Sequence, residues 1–334
     1  FHPKCYLLLK SGAARLFVAS ANLTSTGLRT NLEIVDRLDL ATDDAGRVRG
    51  NVEAFHLFVG FLERLPTVVH LSATAEEDLQ AARSDLATLL EHSVVDPPGQ
   101  QDVAFLGTLD RALLSQVQER IPVDAVRRIV AISPFFDPDS AAVLALAKAY
   151  PRACLEVFKD SEAEGDINGD RLEAIATRLK LFGVSGTRVE GEQMQRRRLH
   201  AKAFLFVGPQ RAWLLQGSPN LTAAAWLRSA IDGGNIEAAT LRHVQPESGS
   251  DPLVALGGDR LLESLDARSI AFAGLRYRVP VPEPDAVSAL LAIDILNASA
   301  RPGSIELRCR SGSWVHSSTR LVVHFATRDQ SVSL

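Results

Sequence analysis

The chain has 334 residues, 46% hydrophobic and 23% charged, which is enough apolar material for more than one core and too long for one ordinary domain. Its 36 Lys and Arg against 40 Asp and Glu leave a net charge of -4, which excludes a protein coated in basic surface and confines any nucleic-acid contact to a local groove. Three scattered cysteines, Cys5, Cys154 and Cys309, exclude a disulfide framework or zinc cluster, and no apolar run approaches the ~20 residues of a membrane-spanning helix, so a cytoplasmic protein without a membrane partner is expected.

At the start, "CYLLLK" and "RLFVAS" are short apolar runs across a Gly-containing turn and predict two strands. His2 and Lys4 stand where the first begins, Ser20 and Asn22 just past the end of the second. "NLEIV", with Asn31 and Glu33, follows. "VEAFHLFVGFLERL" and "TAEEDLQAARSDLATLLEH" have helical spacing, the second opened by a Thr74-x-x-Glu77 capping box. "SVVDPPGQQD", residues 93 to 102, reads as a linker.

Next, "RRIVAISPFFD", "SAAVLALAKAY", "CLEVFKD" and "RLEAIATRLKLFG" alternate strand, helix, strand, helix. That order predicts an α/β layer around a buried, partly parallel sheet. Phe135 and Phe136 end a strand in "SPFFDP" and are read as core. "DSEAEGDINGD" carries Asp166, Asn168 and Asp170, but its glycine is misplaced for a calcium loop and Thr177 occupies the twelfth position, so it is read as an exposed acidic loop. "QRRRLH" sets Arg196, Arg197 and Arg198 before His200; a phosphate-tracking rim and a solvated loop are equal readings of it. "AFLFV" and "AWLLQGS" then repeat the opening strand, turn and strand, with Lys202, Ser218 and Asn220 in the corresponding places and "NIEAA" (Asn235, Glu237) beyond. From residue 278 to 334, "ALLAIDIL", "SIELRCR" and "TRLVVHFA" predict the strands of a small β module.

One pattern is thus written twice. His to Lys is two residues in each copy, Lys to Ser 16 and Ser to Asn two; Asn to Glu is 11 in the first and 17 in the second. A repeat this long implies a duplicated domain, with halves at 1–95 and 103–277. The second copy owns 72 residues between Arg128 and His200 that have no counterpart ahead of His2, so the first half is expected to be truncated, as in a fragment or processed product.

These residue types suit a phosphate. Lys supplies a point charge, Asn a neutral amide donor, and Ser20 and Ser218 a further donor each. Two imidazoles flanking one phosphorus can divide a displacement, one attacking and the other protonating the leaving oxygen. A carboxylate behind each ring, Glu33 or Glu237, would fix its tautomer. Such a scheme needs no metal or cofactor. Asn22 and Asn220 also suit helix N-caps, a role compatible with phosphate binding.

The paired His-x-Lys, Ser-x-Asn and Asn-x-Glu pattern resembles the phospholipase D superfamily, whose signature is H-x-K-x4-D followed by Gly/Ser-x-Asn. The resemblance covers about residues 1–45 and 125–245. It implies two α/β sandwich domains facing across a pseudo-two-fold axis, with one histidine from each meeting in a shared groove. The implied site is His2, Lys4 and Asn22 with His200, Lys202 and Asn220, His2 being the nucleophile and His200 the acid and base. Where the signature has Asp, this chain has Leu9 and Val207. That double departure resembles the nuclease and tyrosyl-DNA phosphodiesterase branches, which use a downstream Glu or Gln, and Glu33 and Glu237 are similarly placed. The resemblance therefore implies a metal-independent phosphodiesterase acting on nucleic acid, DNA before RNA, in bacterial restriction, defence or repair. Two alternatives stand beside it: a phosphatidyl hydrolase or transferase, which should show an apolar acyl groove, and a non-catalytic nucleic-acid-binding subunit, which should have lost a His or Lys from one copy. The acidic balance calls for a helicase or other partner subunit to hold DNA tightly.

Overall fold

The computed structural model describes residues 2–22, 24, 31–94, 101–161, 167–187, 197–246 and 249–271, and the strands 293–301, 304–311 and 319–324. The chain divides into a unit spanning Phe1–Arg278 and another spanning Val279–Leu334.

In the larger unit, β1 (Cys5–Lys10), β2 (Ala13–Ala19), β3 (Asn31–Leu32), β4 (Val35–Thr42) and β5 (Val48–Gly50) precede two helices, α1 (Val52–Val68) and α2 (Ala73–Glu91). Strands β1, β2, β4 and β5 form an antiparallel sheet in that order. Helix α1 forms because its apolar residues recur at helical spacing, and it buries Val52, Phe55, Phe58, Leu62 and Leu65. Each such aromatic or aliphatic side chain contributes about 1.5–3 kcal/mol by leaving water. Helix α2 begins two residues earlier than the expected capping box: Ser72 is the N-cap and accepts from the Ala75 amide, leaving Thr74 inside the first turn. Only a residue still in extended backbone can turn its side chain onto these amides, and Ser72 has that conformation. Of the expected linker, Ser93 bridges Val48 and Gln101 and Asp102 open the next strand, while 95–100 lie outside the described residues.

There follow β6 (Gln101–Gly107), α3 (Leu113–Arg120), β7 (Arg128–Ile132), α4 (Ala141–Ala149), β8 (Cys154–Asp160), β9 (Leu179–Thr187), β10 (Arg198–Leu199), β11 (Ala203–Val207), β12 (Ala212–Gly217), α5 (Ala223–Trp226), β13 (Ala238–Val244), α6 (Pro252–Ala255), α7 (Gly258–Glu263) and β14 (Leu265–Ile270). Eight of these strands form one mixed sheet in the order β14-β9-β8-β7-β11-β12-β13-β6. β7, β8 and β9 run parallel, as alternation with helices requires, and the remaining neighbours run antiparallel. The buried run Ile129, Val130, Ala131 and Ile132 fits a strand covered on both faces. The protein is therefore mixed α/β, as its element order predicts.

Within this unit, the segments before and after residues 95–100 meet at several places, two of which are in the core and in a strand pair. Phe58 and Phe61 of α1 meet Phe105 of β6 edge-on at 5.1 and 5.4 Å, in one core that also holds Leu16, Leu38 and Ile236. β3 and β10 pair in parallel, Asn31 with Arg198 and Leu32 with Leu199, directly before Glu33 and His200. In the smaller unit, β15 (Ile293–Arg301), β16 (Ser304–Ser311) and β17 (Thr319–His324) form an antiparallel meander.

Candidate functional site

In a hairpin, the start of one strand lies opposite the end of its neighbour, so His and Lys before β1 or β11 meet Ser after β2 or β12. The Ala19 amide donates to the Lys4 carbonyl at 2.9 Å, and the Gly217 amide to that of Lys202 at 3.4 Å. Each lysine ammonium then turns back to the carbonyl of its histidine, Lys4 to His2 at 2.9 Å and Lys202 to His200 at 2.8 Å. The two copies differ at one backbone position. Gly217 has φ of +149° and a side chain there would strike the Ala238 carbonyl, whereas Ala19 fits its place in ordinary strand geometry.

The carboxylates cross between the two copies of the repeated pattern. Glu33 takes hydrogen bonds from Ser20 and Asn31 of its own copy and pairs with His200 Nδ1 of the other at 2.7 Å. Glu237 takes them from Ser218 and Asn235 and pairs with His2 Nδ1 at 3.0 Å. Main-chain bonds repeat the exchange: the His200 amide donates to the Leu32 carbonyl at 3.0 Å and the His2 amide to that of Ile236 at 3.1 Å. A carboxylate can only accept, so Nδ1 of each ring carries the hydrogen, and in the neutral ring Nε2 is left as the lone-pair nitrogen. Ser20 and Ser218 are fully buried and give their single hydroxyl hydrogen to these carboxylates, a placement different from the phosphate contact expected of them. A hydroxyl has no second hydrogen to offer.

Both lysines are buried, Lys202 with no exposed surface. Burial pushes the Lys202 ammonium down to about 7; Glu33 and Glu237 oppose this, and the neighbouring charge of Lys4 adds to it. Lys4 is also lowered by burial, against the pull of Glu237 and Glu33. Burial pushes the Glu33 carboxyl up, but hydrogen bonds from His200, Ser20 and Asn31 and the His200 charge outweigh it, so its net shift is downward. Lys4, Lys202, Glu33 and Glu237 thus form a single electrostatic cluster drawn from both copies of the pattern.

Asn220 presents a carboxamide whose buried Oδ1 has no hydrogen-bond partner, and the N-cap of α5 is Thr222, not Asn220. Asn22 is exposed, and 25–30 beyond it lie outside the described residues. Arg198 is exposed and Arg197 half-buried; Arg196 lies outside the described residues, as does Asp166 of the acidic loop. Phe136 is core at 7% exposure, but Phe135 is 41% exposed and meets the His200 ring edge-on, with centroids 6.3 Å apart. Both lie beyond the end of β7 at Ile132, where Phe136 is tied to Leu221 by an isolated bridge and Phe135 is not.

Several supporting residues escaped the sequence reading. Thr108, at the end of β6, accepts from the Glu237 amide at 2.7 Å and donates to the Asn235 carbonyl at 2.7 Å, bracketing the second carboxylate. Asp36 of β4 takes both Nε and Nη2 of Arg242 on β13, and the Thr240 hydroxyl at 2.6 Å. An isolated Asp in a strand with alternating burial was the available signal, since such a residue needs a partner. Among the described residues, no group of three or more His, Cys, Asp or Glu is placed to hold a metal ion, and no helix is long and apolar enough to cross a membrane.

Fold and site together define a mixed α/β protein in which two buried lysines lie among two imidazoles, each ring paired with a carboxylate far from it in sequence. No protein-family model matches the sequence, and no curated protein matches it. The chain is similar to solved structures that include a phosphatidylserine synthase from Haemophilus influenzae, at 14% identity and a TM-score of 0.43 over 85% of this chain and 66% of that one. Others are Nuc, a phospholipase D family member from Salmonella typhimurium (18% identity, TM-score 0.31, 51% of this chain and 98% of that one), and NucT from Helicobacter pylori (12%, 0.30, 49% and 98%).

Proposed function

We propose that this chain is a phosphodiesterase of the phospholipase D superfamily that cleaves nucleic acid, DNA before RNA, through a phosphohistidine and with no metal in the reaction. The observation that carries the reading is the exchange of carboxylates, His200 with Glu33 and His2 with Glu237, which prepares two imidazoles alike and ties both to one cluster. The halves, 1–95 and 103–277, each supply a His, a Lys and an Asn.

His2 Nε2 attacks phosphorus as the bond to the leaving oxygen breaks, and protonated His200 gives that oxygen its proton. His200, now neutral, takes a proton from water; the hydroxide attacks phosphorus and the P–N bond breaks, freeing His2 and a phosphate monoester. Lys4 and Lys202 offset charge on the phosphoryl oxygens, with amide donors from Asn22 and Asn220. Glu33 and Glu237 stabilise each ring when it is cationic. A helicase or other partner in a bacterial restriction, defence or repair assembly would deliver the strand to an enzyme with this acidic balance.

The test is cleavage of end-labelled single- and double-stranded DNA in excess EDTA by wild type, His2→Ala and His200→Ala. Cutting that survives chelation and is lost in both variants supports the reading. No cutting of DNA or RNA, beside hydrolysis of phosphatidyl lipid vesicles, would overturn it in favour of a lipid enzyme.

A further inference from the structure

Phe135 leaves a large apolar ring in water while Phe136 beside it is packed away. Its position is not loose. The Ser133 hydroxyl donates to the Phe135 carbonyl at 2.9 Å and accepts the Leu221 amide at 2.9 Å. Asp137 takes the amide of Ala142, the second residue of α4, on one oxygen and that of Ala223, the first of α5, on the other. Phe136 bridges Leu221 as well. The clamps that hold the turn after Asn220 therefore also hold Phe135 against His200, at an interplanar angle of 84°. Two residues before His200, exposed Arg198 is pinned through its backbone to Asn31. A preorganised aromatic ring thus meets one imidazole of the site, and an exposed arginine stands two residues before that imidazole in the chain.

A flat ring beside a cation recognises an unpaired nucleobase and its phosphate, because every base has a π-face that stacks on an aromatic side chain. In a duplex those faces are covered by neighbouring bases, and freeing one costs unstacking and unpairing. We infer that Phe135 is the stacking platform for the base next to the scissile phosphate, and that the substrate is single-stranded nucleic acid. The inference rests on the nucleic-acid reading above. Phe135 positions the strand; the imidazoles do the chemistry.

The experiment compares wild type, Phe135→Leu and Phe135→Trp on a labelled single strand, on the same strand with abasic residues flanking the cut, and on the duplex. Base stacking of ordinary strength predicts that Phe135→Leu raises KM on the single strand by about 5- to 150-fold with a smaller change in kcat. Phe135→Trp should restore it. Wild type should lose a similar factor on the abasic strand, where Phe135→Leu adds no further loss, and should cut the duplex more slowly. Equal kinetics for wild type and Phe135→Leu would overturn the inference. So would a loss of the same size on normal and abasic strands, which marks a ring that only supports His200, or a wild-type preference for duplex. If wild type cuts no nucleic acid, the broader reading has failed and this one falls with it; a failure confined to the Phe135 comparisons leaves that reading standing.

Discussion

Glu33 Oε1 accepts from His200 Nδ1 at 2.7 Å although they lie 167 positions apart in the chain. Each imidazole is paired with a carboxylate from the other copy of the repeated pattern. The lowered pKa of Glu33 keeps it ionised at neutral pH, so it stabilises a cationic ring as well as fixing a neutral one.

Replacing Glu33 with Gln keeps an acceptor but removes the charge. Activity should fall by about 10²–10⁴-fold, the range of general acid–base assistance. The imidazole ¹⁵N signals of His200 should move in Glu33→Gln while those of His2 stay, and Glu237→Gln should do the reverse. A Glu33→Gln variant that shifts His2 instead would refute the crossed arrangement.

Lys202 is expected to give the site a proton-linked affinity for anions. At pH 8 a group with a pKa of about 7 is mostly neutral, and a bound dianion such as tungstate raises that pKa, so binding draws in a proton. Calorimetry in buffers of different ionisation enthalpy should find uptake approaching about one proton per site at pH 8. Uptake should fall well below this in Lys202→Met, and equal uptake in both proteins would assign the proton elsewhere.

What the sequence showed was the local half of this arrangement. His2 with Lys4, Ser20 with Asn22 and their second copies are visible because a hairpin keeps strand start and strand end at a fixed spacing. The alternation of strands and helices around β7 and β8 was legible for a similar reason. Which carboxylate serves which histidine was not, because that pairing depends on β3 meeting β10 across the chain and no spacing encodes it. Thr74 and Phe135 fall outside their expected roles at single-residue resolution: Ser72 and Thr74 both suit a cap, and only the backbone of Ser72 marks it as the one outside the helix; Phe135 and Phe136 both suit a core, and only the contact of Phe136 with Leu221 sets them apart.

The same lysine links stability to pH. Its folded pKa of about 7 lies below its ordinary 10.5, so between these values the unfolded chain binds more protons. The cost of burying the charge is fully present below pH 7 and is relieved as pH rises towards 10.5. One such group gives a slope of up to about 1.4 kcal/mol per pH unit in that window. Urea unfolding of wild type and Lys202→Met between pH 7 and 10 should therefore show the difference moving in favour of wild type as pH rises. A difference constant across that range would mean that Lys202 keeps its ordinary pKa.

Asp36 and Arg242 bind β4 to β13, the strands that begin just after Glu33 and Glu237. Asp36 is buried, so removing its charge strands the guanidinium and the Thr240 hydroxyl without their acceptor. Breaking a fully buried pair from one side costs about 3–5 kcal/mol, and this pair, whose Arg242 is 26% exposed and also donates to the Arg37 carbonyl, falls at or below the low end of that range; replacing both partners with apolar side chains of similar size is often close to neutral. Asp36→Ala should therefore lose about 3 kcal/mol or less in urea unfolding, and Asp36→Leu combined with Arg242→Met should recover most of it. Because the pair joins the strands that begin just after the two carboxylates, the apolar double variant also separates rigidity from charge. If it regains stability and activity together, the pair serves only to hold the strands. If stability returns without activity, the salt bridge itself sets the register that brings Glu33 to His200 and Glu237 to His2.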